Sequence, residues 1–176
     1  MLAPKFWYPE NNEISFSSLA LVPFGHIYSL LSKLRMSKAV KKQFDIPIVC
    51  IGNLNAGGTG KTPTTISAAQ FLRDRKYNVH IVSRGYGGNA MGPLSVNDQQ
   101  HSANDVGDEA LMLSAFAPTW VASNRSDGIQ SAIKEGADIV LLDDGFQDPS
   151  VYKDLSILTV NAKKGFGNNR CIPAGP

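Results

Sequence analysis

Gly52-Asn53-Leu54-Asn55-Ala56-Gly57-Gly58-Thr59-Gly60-Lys61-Thr62 brings together the residue types that cradle a phosphate. Glycines let the backbone curl so that successive N–H groups point inward around an anion. A helix starting at the end of such a loop adds its positive dipole end. Lys61 would reach the β- and γ-phosphates of a nucleotide, and the Thr62 hydroxyl would ligate Mg²⁺. The loop departs once from the pattern G-x-x-x-x-G-K-[ST], with Asn55 in place of the first glycine. Asn tolerates a left-handed backbone better than other non-glycine residues, so the turn is expected to survive. A second group is Asp143-Asp144, directly after the apolar run Ile139-Val140-Leu141-Leu142. An acidic residue at the end of a buried strand suits the magnesium shell of a bound nucleotide, and spacing does not say which Asp touches it. A third is Asp108-Glu109 after Gly107. Acidic residues at a helix start complement its dipole, and a carboxylate there could also accept the proton of an attacking hydroxyl during phosphoryl transfer.

The elements that must position these groups follow from periodicity. Short apolar runs at 47–51, 78–82, 119–122, 139–142 and 155–160 read as strands, and 61–75, 108–117 and 127–135 as helices. A loop rich in Gly, Asn and Asp occupies 84–104. Continuous apolar strands alternating with helices predict an α/β fold, a P-loop NTPase-type parallel sheet with helices on both faces. The chain has 176 residues, 43% of them hydrophobic, enough for a core without staples. Two cysteines, Cys50 and Cys171, make no disulfide framework and indicate a reducing compartment. There is no apolar run of transmembrane length and no signal-peptide pattern at the N-terminus.

Charge is unevenly spread. The net charge is +2, yet Ile14 to Phe44 contains Lys33, Arg35, Lys38, Lys41 and Lys42 and no acidic residue. Phe16, Ala20, Phe24, Ile27, Leu31 and Leu34 recur there at helical spacing, with Pro23 and Gly25 expected to kink the helix or start it late. An apolar stripe followed by a basic cluster suits a helix lying in the headgroup region of an anionic membrane; a helix packed on the domain with a solvated basic end fits the same pattern. Residues 1–44 are therefore expected to form an N-terminal amphipathic segment and 45–176 the P-loop core. The basic cluster lacks interleaved aromatics, so nucleic-acid binding is not expected.

GNLNAGGTGKTP at 52–63, SRGYGG at 83–88, VGDE at 106–109, DDGFQ at 143–147 and PAGP at 173–176 occur in order. This set resembles the tetraacyldisaccharide 4′-kinase family, the lipid A 4′-kinases of Gram-negative bacteria. The resemblance implies transfer of the γ-phosphate of ATP, with Mg²⁺, to the 4′-hydroxyl of an acylated glucosamine disaccharide 1-phosphate, giving lipid IVA. It implies work at the cytoplasmic face of the inner membrane, with the N-terminal helix docking on the lipid surface. Asn55, Ala56, Gly57, Gly58, Thr59, Gly60, Lys61 and Thr62 match the family's ATP loop, and Gln147 a position near the nucleotide. Asp108 matches its base, with Asp143 and Asp144 its magnesium-associated pair. Arg84, Tyr86, Glu109 and Arg125 become candidate contacts to phosphate or lipid headgroup. Two departures stand out. Asp148 replaces the histidine that usually ends DDGFQH. The family also continues beyond PAGP into a second lobe carrying a histidine that pairs with the catalytic Asp, a position matched by none of His26, His80 and His101. On this reading the chain is the N-terminal part of such a kinase, and a nucleotide- and membrane-binding piece without transfer activity is the alternative. An ATPase of the partitioning or nitrogenase-iron-protein type is a further alternative, but it would carry a lysine where Ala56 stands.

Overall fold

Residues 4–9, 15–55 and 58–176 are described by the computed structural model. In chain order the regular elements are a 3₁₀ turn (Lys5–Trp7), α1 (Phe16–Lys38), β1 (Ile48–Gly52), α2 (Lys61–Arg73), β2 (Val79–Ser83), β3 (Leu94–Ser95), α3 (Ala103–Val106), α4 (Asp108–Ser114), β4 (Thr119–Val121), α5 (Arg125–Lys134), β5 (Ile139–Asp143) and β6 (Leu155–Leu158). The chain divides into two compact units, one holding β1 to β6 with α2 to α5 (40–52 and 61–158), the other holding α1, the loop 53–60 and the tail 159–176.

In the larger unit the strands form one sheet in the order β3-β4-β2-β5-β1-β6. Five strands run parallel, and β3 pairs antiparallel with β4 through Leu94↔Val121. β1, β2 and β5 are largely apolar because both faces are covered. Ile139 and Leu141 of β5 pack with Ala69 of α2 and Leu113 of α4 on one side. Val140 and Leu142 point the other way, to Ile129 and Ala132 of α5. Each fully buried Ile or Leu in these layers contributes roughly 1.5–3 kcal/mol. β6 lies at the edge with Leu155 and Leu158 exposed. The central strands put the C-terminal ends of β1, β2 and β5 side by side, the place where parallel sheets bind ligands.

The smaller unit is organised by hydrogen bonds rather than by apolar burial. Ser18 of α1 donates to the Ala174 carbonyl at 2.7 Å and accepts from Asn168 Nδ2 at 3.1 Å. Trp7 Nε1 donates to the Pro173 carbonyl at 3.1 Å. The 173–176 motif is thus the seat of α1. Pro23 neither starts the helix late nor ends it; α1 runs from Phe16 through Pro23 to Lys38. Among its residues Ser18 and Gly25 are buried, and Leu21, Val22, Ser29 and Ser32 are half-buried. Those six fall on one side of a 3.6-residue helix. The side turned inward is therefore mostly serine and glycine, with Leu21 and Val22 half-buried on it, while Phe16 (84% exposed), Phe24, Ile27, Leu30, Leu31 and Leu34 face out.

Candidate active site

α2 begins at Lys61, directly after Gly60, whose φ of +88° only glycine adopts readily. Lys61 Nζ lies 3.7 Å from Asp144 Oδ1. Asp143 ends β5 and is buried. Its Oδ1 is 3.3 Å from Thr65 Oγ1, whose single proton is shared between that oxygen and the Lys61 carbonyl at 3.1 Å. Ser83, ending the neighbouring β2, places Oγ 3.5 Å from the other carboxylate oxygen. Burial, reinforced by the Glu109 and Asp144 carboxylates, pushes the pKa of Asp143 up to about 6, against smaller pulls from Lys61 and Thr65. A desolvated carboxylate pressed by two others is a poor resting charge and a good partner for a cation.

Asp144 stands at φ +52°, turned out of the strand and exposed. Arg125 holds this turn from beneath. Its Nη2 donates to the Asp144 carbonyl at 2.6 Å and its Nη1 to Asp148 Oδ2 at 3.0 Å. Asp148 also accepts from the N–H and hydroxyl of Ser150. Burial alone would raise the Asp148 carboxyl, but these bonds and Arg125 outweigh it and hold it below its ordinary value. Asp148, standing where the resemblance leads one to expect histidine, is thus the anionic partner of a buried arginine. Arg125, a candidate for phosphate or headgroup contact, is buried with its guanidinium engaged on the protein.

Asp108 is exposed at the first position of α4, and its Oδ1 accepts from the Glu109 N–H at 2.9 Å. Glu109 is half-buried, and its charge reaches Asp143. The 83–88 and 106–109 motifs turn out to be one structure. A Cβ on Gly88 would lie 2.5 Å from Gly107 N and 2.6 Å from the Val106 carbonyl carbon, and one on Gly107 would lie 2.5 Å from the Tyr86 carbonyl oxygen. The backbones touch, and this contact fixes where α4 and Asp108 begin. Arg84, Tyr86 and Gln147 are exposed. Sequence reasoning missed Thr65 and Ser83. The signals for them were their positions, one helical turn after Lys61 and the C-terminal end of an adjacent strand.

In the smaller unit, Asn53 Nδ2 donates to the Asn55 carbonyl at 2.6 Å and Asn55 Nδ2 to the Gly165 carbonyl at 2.7 Å. Thr59 and Thr159 hydroxyls meet at 2.9 Å. Among the described residues the non-glycine positions with positive φ are Lys76, Asp144 and Asn169. Asn55 therefore does not use the left-handed tolerance expected of it; its amide ties the loop down instead. Ala56 and Gly57 lie outside the described residues. His80 accepts from Trp120 Nε1 and His101 Nδ1 from the Asn97 N–H, so both are engaged away from the carboxylates. Among the described residues no group of three or more His, Cys, Asp or Glu forms a metal cage, and no helix is long and apolar enough to cross a membrane.

The sequence model of the family described as tetraacyldisaccharide-1-P 4′-kinase (LpxK) matches residues 17–176. A tetraacyldisaccharide 4′-kinase from Parvibaculum lavamentivorans is 46% identical over 177 residues, with all of this chain and 52% of the relative covered. One from Jannaschia sp. is 49% identical over 176 residues, covering all of this chain and 53% of the relative. The crystal structure of LpxK from Aquifex aeolicus in complex with ATP superimposes with a TM-score of 0.77 at 28% identity, over 91% of this chain and 53% of that one. The chain spans about half the length of the curated relatives it matches. With a family match across nearly its whole length, this chain belongs to the tetraacyldisaccharide-1-P 4′-kinase family.

Proposed function

We propose that the protein binds Mg-ATP and serves the transfer of its γ-phosphate to the 4′-hydroxyl of a tetraacyl glucosamine disaccharide 1-phosphate, giving lipid IVA. The observation that carries this reading is the buried, cation-seeking Asp143 beside Asp144 and Lys61, at the head of the helix that follows a glycine-rich loop. The backbone of Asn55 to Gly60 cradles the phosphates, and Gln147 lies toward the nucleotide. Lys61 leaves Asp144 for the β- and γ-phosphates, a stronger and more localised anion. Thr62 and Asp143 hold the Mg²⁺ shell, with Asp144 beside them. When bound, that ion supplies neutralisation of the charge developing on the β- and γ-oxygens. A site of so few protein ligands suits Mg²⁺, which keeps several waters and takes further oxygens from phosphates.

Asp108 accepts the proton of the sugar 4′-hydroxyl as its oxygen bonds to the γ-phosphorus in line with the departing ADP oxygen. Glu109 adds its negative charge to the Asp143 side of the site, and Arg84 and Tyr86 meet phosphate or headgroup. The substrate arrives from a membrane. The outward apolar face of α1, flanked by Lys33 and Arg35, supports a helix lying at the cytoplasmic surface of the inner membrane of a Gram-negative cell. The test is transfer of γ-labelled phosphate from Mg-ATP to the acylated disaccharide 1-phosphate in mixed micelles. Transfer lost in Lys61→Ala, with the fold retained, is the expected result. Undiminished transfer in that variant contradicts the reading.

A further inference from the structure

Three of the eight residues in the loop 53–60 are glycines, which carry the widest backbone freedom. A Cβ built on Gly58 or Gly60 would meet nothing within 4 Å, and Leu54 is exposed. Among the described residues of the loop, apolar packing therefore gives little hold. Side-chain hydrogen bonds to the tail take its place. Asn55 Nδ2 donates to the Gly165 carbonyl at 2.7 Å, and the hydroxyls of Thr59 and Thr159 meet at 2.9 Å. Asn53 Nδ2 braces the loop from within, through the Asn55 carbonyl at 2.6 Å.

The two anchor points on the tail are themselves built. Thr159 is buried, and branching at its Cβ restricts χ1, so the hydroxyl is presented in a set direction. The Gly165 carbonyl ends a turn that Asn161 organises. Asn161 Oδ1 accepts from the Lys163 and Lys164 N–H groups at 3.0 and 3.2 Å, and the Asn161 carbonyl accepts from the Gly165 N–H at 2.8 Å. Gly165 closes the turn at φ +52°, in the left-handed region that favours glycine. Residues 159–165 thus offer the loop two fixed partners, one at Asn55 and one at Thr59.

We propose that Thr159 and Asn161 are positioning residues for the phosphate cradle, holding the backbone of 55–60 in its anion-binding curl before nucleotide arrives. This rests on the nucleotide reading given above and assigns part of the affinity to the tail. The physical reason is preorganisation. A free glycine-rich loop loses backbone entropy when a phosphate orders its N–H groups. A loop already tied at two points has less to lose, and the difference appears as tighter nucleotide binding. Neither residue touches the nucleotide: Thr159 acts through Thr59, and Asn161 acts through Gly165 and Asn55.

The test is isothermal titration of the purified chain with Mg-ATP, beside thermal melting of the nucleotide-free protein. Thr159→Val keeps the side-chain shape and removes the hydroxyl, and losing one neutral hydrogen bond from the cradle is expected to weaken Mg-ATP binding about fivefold. Asn161→Ala unties the turn and is expected to do the same. Thr159→Ser restores the hydroxyl and Asn161→Asp the acceptor, so both are expected to bind within about twofold of wild type. The melting temperature should hardly move in any of the four. Thr59 is half-buried, and Lys163 and Lys164 are exposed, so water replaces the lost partners. Wild-type affinity in Thr159→Val and Asn161→Ala overturns the proposal and leaves the nucleotide reading standing. Affinity that falls only in step with the melting temperature, unrestored by Thr159→Ser, overturns it by showing a structural role alone. A wild type that does not bind Mg-ATP removes the nucleotide reading and the positioning role with it.

Discussion

At the scale of the residue, the buried Asp143 carboxylate costs stability when it ionises. Its folded pKa of about 6 stands above its ordinary 3.8, so the folded chain holds this proton more tightly than the unfolded one. Its contribution is therefore most favourable below about pH 4 and is lost as pH rises toward 6. That rise corresponds to roughly 3 kcal/mol as an upper figure. Asp143→Asn should thus raise the melting temperature at neutral pH, with little gain near pH 4, and abolish Mg-ATP-dependent turnover; calorimetry across that pH range checks it. A melting temperature that falls at neutral pH would contradict the burial argument. Arg125 behaves oppositely. Arg125→Met leaves Asp148 half-buried without its cation and frees the Asp144 turn, a cost of about 3–5 kcal/mol, measurable by urea unfolding. Lys61, Asp143 and Asp144 were legible in the sequence because each sits in a local pattern. The support beneath them was not, because Arg125 meets Asp144 and Asp148 only through packing of α5 under β5, and no spacing rule encodes that.

At the scale of the element, the glycine motifs act by contact between backbones. Gly88→Ala would drive a methyl group into Val106 and Gly107 and move the start of α4. A loss of about 1–3 kcal/mol is expected, with turnover falling further than stability because Asp108 moves too; denaturant titration beside steady-state kinetics separates the two effects. The central strands were readable because a two-sided burial makes them continuously apolar. β3 and α3 were not, having two and four residues, too few to carry a period. β3 exists because Leu94 finds Val121 at an open sheet edge. The expectation that Pro23 would delay α1 gave proline too much weight: it removes one bond from a helix whose anchor, Ser18 on the 173–176 motif, lies on the other side of it.

At the scale of the whole molecule, charge and apolarity divide along the two units. The sheet-bearing unit carries the excess of acid and the Asp143–Asp144 carboxylates, and the other carries a net excess of cations and the outward leucines. Two carboxylates placed on the outward face, Ile27→Asp together with Leu31→Asp, should abolish vesicle binding and leave ATP binding intact, read by flotation and nucleotide fluorescence. ATP affinity falling in parallel would show that the two functions are not separate. The central claim is the destination of the phosphate. Incubation with Mg-ATP and the acylated disaccharide 1-phosphate, followed by ³¹P NMR of the recovered lipid, should show a second phosphomonoester, attached at the 4′ position. Phosphate appearing only as inorganic phosphate, or bound ATP left intact beside unchanged lipid, would contradict it.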